Sequence, residues 1–575
     1  MTIKELLTRS VSRRGDGIAL RYKKDGRWQT LTYHEFLMRA WRVAELLARR
    51  GIKPGDRVAI LRENAPDWPE MYFGITALGA TAVPVDAKLQ EQEVAHILRD
   101  SGARLLFSDA RNYSVLKEVE PHVPELQAAI LVGGRELGPQ PSRRIKYLDY
   151  EEGVASVAEP AAATGRAYDR HQPSEGDIAS FIYTSGTTGR QKGAMLTHAN
   201  FTANVEAILQ AIQIRQDDNF LLVLPLHHAF AFTANLLTPV GAGCEISFVE
   251  SLKTVGENTR EVSPTVLIGV PLLIEKMYNR IWTGLRENKL AWTLYRLGLR
   301  KPVRHGIAKK LGGHLRLIVT GGAPCDPKVL INFGRLGFPI LEGYGLTETA
   351  PVLTFNPLGH PKPGTVGKPL SNVEIRIMDP NAEGVGEIAA RGPNIMNGYY
   401  NNPEATKAVF RDGWFLTGDL GFLDADGYVT ITGRKKNLIV NREGKNIYPE
   451  EVEYAVSKSP FVRESLVTGF RDADMKVGEQ VGVIVVPNQE AIDAYAEREK
   501  KTLSESEVVD LIRNDVKRVC AKIAEYKRPR HIQIRWEEFG KTSTGKVKRY
   551  LYALKTEDLS WTTANGLTAK NNDKK

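Results

Sequence analysis

The chain has 575 residues, 42% hydrophobic and 25% charged, which is the make-up of a folded globular protein with length for more than one domain. Its net charge of +10, from 78 basic against 68 acidic residues, favours anionic partners such as nucleotides, coenzyme A or an acidic membrane surface; with no zinc-ligand spacing and no RNA-binding signature, nucleic acid is not an expected partner. Cys244, Cys325 and Cys520 are too few and too scattered for a disulfide framework or zinc cluster. No apolar run reaches the roughly 18–20 residues of a membrane span, and the first residues lack the apolar core of a signal peptide.

A cytoplasmic location is therefore expected, with peripheral membrane contact left open. In chain order, LTYHEFLMRAWRVAELLARR (31–50) has helical apolar spacing and meets a stop at Gly51. DRVAIL (56–61), TAVPVD and ARLLFSD are strand-like, and WPEMYFGITALGA between the first two is helix-like. This alternation predicts an α/β fold with a parallel sheet covered on both faces. Residues 152–176 are rich in Ala, Pro, Gly and polar residues and are expected to form a surface connection. Alternation resumes at IASFIYT. Near 370 the pattern changes to VEIRIMD, GEIAAR and GYVTITG, which predicts a small antiparallel β unit. Helix-like and strand-like segments follow beyond 437, and the polar tail 556–575 is expected to be disordered.

The apolar strand IASFI feeds Tyr-Thr-Ser-Gly-Thr-Thr-Gly-Arg-Gln-Lys-Gly at 183–193. Gly186 and Gly189 allow torsions that turn bare N–H groups toward phosphate oxygens. Thr184, Ser185, Thr187 and Thr188 add hydroxyls, and Lys192 adds a cation. The loop is not a Walker A motif, because Gly189 is followed by Arg190.

Six further strings follow, the first five being Leu-Pro-Leu-His-His (224–228), Thr-Gly-Gly-Ala-Pro (320–324), Gly-Tyr-Gly-Leu-Thr-Glu-Thr (343–349), Gly-Trp-Phe-Leu-Thr-Gly-Asp-Leu-Gly (413–421) and Gly-Arg-Lys-Lys-Asn (433–437). The last is Gly-Lys-Thr-Ser-Thr-Gly-Lys-Val-Lys-Arg (540–549). In this order, over roughly residues 10–550, the sequence resembles the adenylate-forming superfamily of acyl-CoA synthetases, peptide synthetase adenylation domains and firefly luciferase. The segment Leu438–Pro449 is most similar to the long-chain fatty acyl-CoA synthetase branch.

The resemblance implies a large N-terminal domain, 1–433, of parallel-sheet αβα subdomains plus a small β unit. It implies a hinge at 434–437 around Asn437 and a smaller mobile α+β domain over 438–555. It places the ATP phosphates on Thr184–Gly189 and Lys192, and adenine against Gly322, Ala323, Pro324, Gly343, Tyr344 and Gly345. Asp419 and Arg434 take the ribose; Thr347 lies at the α-phosphate; Thr188 and Glu348 hold magnesium; Lys546 is the catalytic lysine of the C-terminal domain. His228 and Gly321 line the acid pocket, and Gly444 belongs to the segment that faces the site during thiol transfer. Three positions depart from the pattern: His227 replaces an aromatic residue, Asn437 an aspartate and Gly540 a proline.

The implied reaction joins two anions, a carboxylate and the α-phosphate of ATP, so charge neutralisation dominates over proton transfer. Pyrophosphate leaves, and the acyl-AMP then passes its acyl group to a thiol. The expected cosubstrates are ATP, Mg2+ and coenzyme A, with a medium- to long-chain fatty acid as substrate and Phe230–Val240 as a candidate tunnel wall. Alternatives are an aryl or other acid, an acyl carrier protein as acceptor, a luciferase-like oxidation, or a nucleotide sensor, which would need decayed motifs. Lys192, Glu348, Asp419, Arg434 and Lys546 are all present, against decay. The oligomeric state stays open, a homodimer included.

Overall fold

Strand–helix alternation builds two mainly parallel sheets in the first 370 residues. The computed structural model describes residues 1–137, 144–157, 167–184, 191–471, 477–541 and 547–552. Strand Arg57–Leu61 is central to a seven-stranded sheet, pairing in parallel with Thr81–Val85 and with Leu105–Asp109. One edge of that sheet is an antiparallel pair, Ile178–Thr184 with Lys192–Thr197. The second sheet has nine strands. Its parallel centre runs Ile340–Gly345, Leu317–Thr320, Val266–Gly269, Asn219–Leu222 and Glu245–Phe248. Near-continuous apolar runs such as LIVT and VLIG suit strands covered on both faces.

The two sheets share one core. Helix Asp67–Ala77 has no polar stripe and is buried all round, with Trp68 and Tyr72 stacked at 5.6 Å. Helix Tyr33–Arg49 starts in a capping box between Thr32 and Glu35, and the chain turns away at Gly51 with φ +78°. Both helices pack in the cluster that also holds Phe201, Phe232 and Leu236.

The expected surface connection at 152–176 is only partly that. Its last turn, Ala167–Arg170, buries Ala167 and Tyr168, and Lys4 Nζ donates to the carbonyls of Tyr168 and His171 at 2.5 and 2.6 Å. These caps let an Ala- and Tyr-bearing turn sit inside despite its polar neighbours. Residues 158–166 and the tail lie outside the described residues.

The expected antiparallel unit is a five-stranded sheet including Glu374–Met378, Gly386–Arg391, Trp414–Leu423 and Val429–Arg434. Beyond it, Val462–Phe470, Gln480–Pro487 and His531–Ile534 form a three-stranded sheet. Helices Pro449–Val456 and Glu505–Cys520 cover it through Val452, Val456, Ile512 and Val516. Among the described residues, no helix is long and apolar enough to cross a membrane.

Candidate active site

The Gly- and Thr-rich segment expected to bind phosphate connects two antiparallel strands, with Thr184 opposite Lys192 in register. Ser185, Gly186, Thr187, Thr188 and Gly189 lie outside the described residues, as does Lys546. At the loop's end, the carbonyl of Gln191 meets His96 Nε2 at 2.9 Å, which ties the loop to helix Glu91–Ser101.

Lys192 begins its strand with Nζ 5.4 Å from the ring centroid of Tyr399. The Tyr399 hydroxyl donates to Glu348 Oε1 at 2.7 Å. Burial and the adjacent carboxylate push the Tyr399 phenol well up, so it stays a donor. Glu348 sits on the turn Thr347–Thr349, which is pinned twice: Met396 N–H donates to the Glu348 carbonyl, and the Asn394 amide donates to that of Thr349. The structure thus gathers Lys192, Thr347 and Glu348, and adds Tyr399, which motif reading missed. The tyrosine is 51 positions from Glu348, and no local spacing signals the contact.

A second cluster holds Tyr344, Asp419 and Arg434. The Tyr344 hydroxyl donates to Asp419 Oδ2 at 2.6 Å, and Arg434 Nε meets Oδ1 at 2.6 Å. Asp419 and Arg434 are opposite each other on neighbouring strands, so their side chains share a face. Burial pushes the Tyr344 phenol up. Gly343 and Gly345 flank the tyrosine. A Cβ on Gly345 would lie 1.7 Å from the Pro351 carbonyl oxygen, which forces glycine there. Gly322, with φ +82°, and the exposed Ala323 and Pro324 form the neighbouring turn. The adjacent Glu342 is buried, accepts the Cys325 N–H at 3.0 Å, and is pushed up to about 7 by desolvation.

Gly321 abuts an apolar crevice. A Cβ there would meet the Phe230 ring at 3.2 Å and the Gly343 carbonyl at 3.1 Å. The crevice is lined by Phe230, Ala234, Ile268, Val319 and Phe355 among others, and encloses about 20 Å3, room for about one water. Phe230 and Ala234 belong to the expected tunnel segment, which forms a helix with a π turn over Phe232–Leu237. His228 Nε2 lies 3.1 Å from His227 Nε2, and His227 is 3.6 Å from Asp86 Oδ2. Burial holds His227 down to about 4, so it is neutral at pH 7.

Asn437 donates to Glu450 Oε1 at 3.0 Å. Gly444, with φ +74°, turns the ribbon Ile439–Val440 to Asn446–Ile447. Its neighbour Lys445 packs over Tyr526, so this turn belongs with the C-terminal sheet rather than with the Tyr344 cluster. The stretch holding Lys546 runs between the bridged Lys541 and Val547. Just after it, Lys548 Nζ lies 3.8 Å from Glu93, on the helix that contacts Gln191. Lys458 pairs with Asp326 at 2.8 Å across the same boundary.

These groups suit a nucleotide carrying a hard cation. Glu348 Oε1 is held by Tyr399, while Oε2 takes no hydrogen bond among the described residues. Among the described residues no group of three or more His, Cys, Asp or Glu can hold a metal. A single carboxylate oxygen, on a side chain held by the tyrosine that borders Lys192, fits magnesium, which is commonly held by one or two carboxylates and by substrate phosphates.

A family model described as AMP-binding enzyme matches residues 7–400, and one described as AMP-binding enzyme C-terminal domain matches 451–546. The chain is 32% identical over 510 residues to the long-chain-fatty-acid–CoA ligase FadD15 of Mycobacterium bovis, covering 84% of this chain and 81% of that protein. It is 30% identical over 539 residues to the oxalate–CoA ligase of Arabidopsis thaliana, covering 90% and 92%. The structure resembles ATP-bound MatB from Rhodopseudomonas palustris with a TM-score of 0.75 at 26% identity, covering 96% and 98% of the chains. It resembles o-succinylbenzoate CoA synthetase of Bacillus subtilis in complex with its acyl-adenylate intermediate with a TM-score of 0.74 at 26% identity, over the same shares. The chain belongs to the AMP-binding enzyme family and is an adenylate-forming CoA ligase, working with ATP, magnesium and coenzyme A.

Proposed function

We propose that the chain activates a medium- to long-chain fatty acid as its acyl-AMP and passes the acyl group to coenzyme A. The observation that carries the acid assignment is the crevice behind Gly321, whose lining is almost wholly apolar. A dicarboxylate such as oxalate would leave its second charge against that lining, a costly burial. Similarity to FadD15 points the same way. Feruloyl-CoA synthase of Amycolatopsis is 32% identical over 466 residues, which makes a flat aryl acid the competing reading. The crevice is narrow, so a fatty chain requires Phe230 or its neighbours to rotate aside.

In this reading Lys192 and Lys546 neutralise the phosphates, and Asp419 accepts from the ribose hydroxyls while Arg434 fixes its orientation. Glu348, with Thr188, holds magnesium, which when bound spreads the phosphate charge. Tyr344 and the Gly343–Gly345 backbone hold adenine. The carboxylate is already ionised at pH 7, so positioning and charge supply the catalysis. The boundary at 434–437 acts as a hinge for the 438–555 domain, whose closure keeps water from the acyl-AMP. Gly444 then faces the site for thiol transfer.

The test is pyrophosphate release with ATP and magnesium across acetate, octanoate, palmitate, oxalate and ferulate, followed by thioester formation with coenzyme A or a carrier protein. Octanoate or palmitate should give the highest turnover, with AMP as product and coenzyme A as acceptor. A preference for oxalate or ferulate, or for the carrier protein, would overturn the corresponding assignment.

A further inference from the structure

Residues 271–310 carry ten Lys or Arg against two Asp or Glu, so these forty residues hold +8 of the chain's net +10. They fold as three helices, Pro271–Glu287, Lys289–Arg296 and Arg300–Lys310, between two strands of the nine-stranded sheet. None of the ten cations forms an ion pair among the described residues. Elsewhere, basic side chains such as Arg316 and Lys458 do find carboxylates.

The same segment exposes large apolar side chains. Leu290, Leu297 and Leu299 are 71%, 69% and 51% exposed, and helix Lys289–Arg296 buries no residue at all. Beneath them, Trp282, Trp292 and Tyr295 form one aromatic cluster with centroids 5.3 to 6.2 Å apart. The Arg286 guanidinium caps it, 5.9 Å from both indoles.

We propose that this insertion docks the enzyme on an anionic phospholipid surface. Leucines outermost, Trp and Tyr beneath and cations around them form the profile of a helix that lies in the lipid interface. The unpaired +8 supplies attraction to acidic headgroups. A second copy of the chain would bring the same charge against itself. A nucleic acid or acidic protein would use the cations without needing the leucines. The inference does not depend on which acid is activated.

The experiment is flotation of the full-length enzyme with phosphatidylcholine vesicles, with and without roughly 30% phosphatidylglycerol, at about 0.1 M salt. Wild type should float with the anionic vesicles. L290E/L297E/L299E and R296E/R300E/K301E should each bind at least about tenfold more weakly. Both variants should keep wild-type pyrophosphate release with a water-soluble acid, which shows that they fold. Equal flotation with neutral and anionic vesicles, or anionic binding undiminished in the leucine variant, would overturn the proposal. So would a wild-type dimer that the leucine variant dissociates without loss of vesicle binding. Should either triple variant misfold, the single substitutions L297E and R300E are read in the same way.

Discussion

Tyr399 and Glu348 are joined by a 2.7 Å hydrogen bond in which the phenol donates to Oε1. The tyrosine ring also borders Lys192, so one side chain orients the proposed metal carboxylate and flanks the phosphate-loop lysine. Removing only the hydroxyl, in Tyr399→Phe, leaves the ring beside the lysine. Partners that orient a metal ligand typically contribute 10–100-fold in affinity or activity. Tyr399→Phe is expected to raise the magnesium concentration for half-maximal activity about tenfold, with a small change in the KM for the acid. An unchanged magnesium titration would remove Tyr399 from this role.

Phe230 sets the width of the crevice behind Gly321. Phe230→Ala deletes a ring that a long chain must otherwise displace. The substitution is expected to move the optimum toward longer acids, changing the ratio of kcat/KM between palmitate and octanoate by roughly tenfold, within the range hydrophobic pockets discriminate. A chain-length profile identical to wild type would place the acyl chain elsewhere.

Lys546 is assigned from its motif, and the structure brings Lys548, two positions further on, to the helix whose His96 meets the Gln191 carbonyl. Lys546→Ala is expected to slow acyl-AMP formation by roughly 100-fold or more, the scale of removing one transition-state charge contact. Transfer from preformed acyl-AMP to coenzyme A should stay within a few-fold. Equal loss in both half-reactions would argue against a lysine used in adenylation alone.

His227 is held down to about 4, first by burial, with Lys88 adding to it and Asp86 opposing it. Its folded value lies below its unfolded one, so the stability it contributes is complete above about pH 6.5 and is lost as pH falls toward 4. Between pH 7 and 5 this amounts to about 2 kcal/mol. His198 is also held near 4 by burial and titrates in the same window. Melting curves of wild type and His227→Gln over that range separate the two. The variant should lose less stability on acidification, and parallel curves would show that His227 is not buried as a neutral ring.

Pro- and Gly-punctuated strings pointed to candidate nucleotide residues, because phosphate and base recognition depends on short backbone turns whose torsions a few residues dictate. Strand–helix alternation disclosed the α/β class for the same local reason. Contacts between distant segments were different. The Tyr344–Asp419 bond, which spans 75 positions, forms only where strands of separate sheets converge, and the Tyr399–Glu348 bond only where the Thr347–Thr349 turn meets a segment 51 positions away. The crevice likewise depends on Phe230, Val319 and Phe355 meeting from three elements. The basic run at 271–310 is visible in one dimension, and helical spacing there would ordinarily place Leu290 and Leu297 in a core. Packing decided otherwise, because the aromatic cluster of Trp282, Trp292 and Tyr295 fills the inner face and leaves those leucines outside.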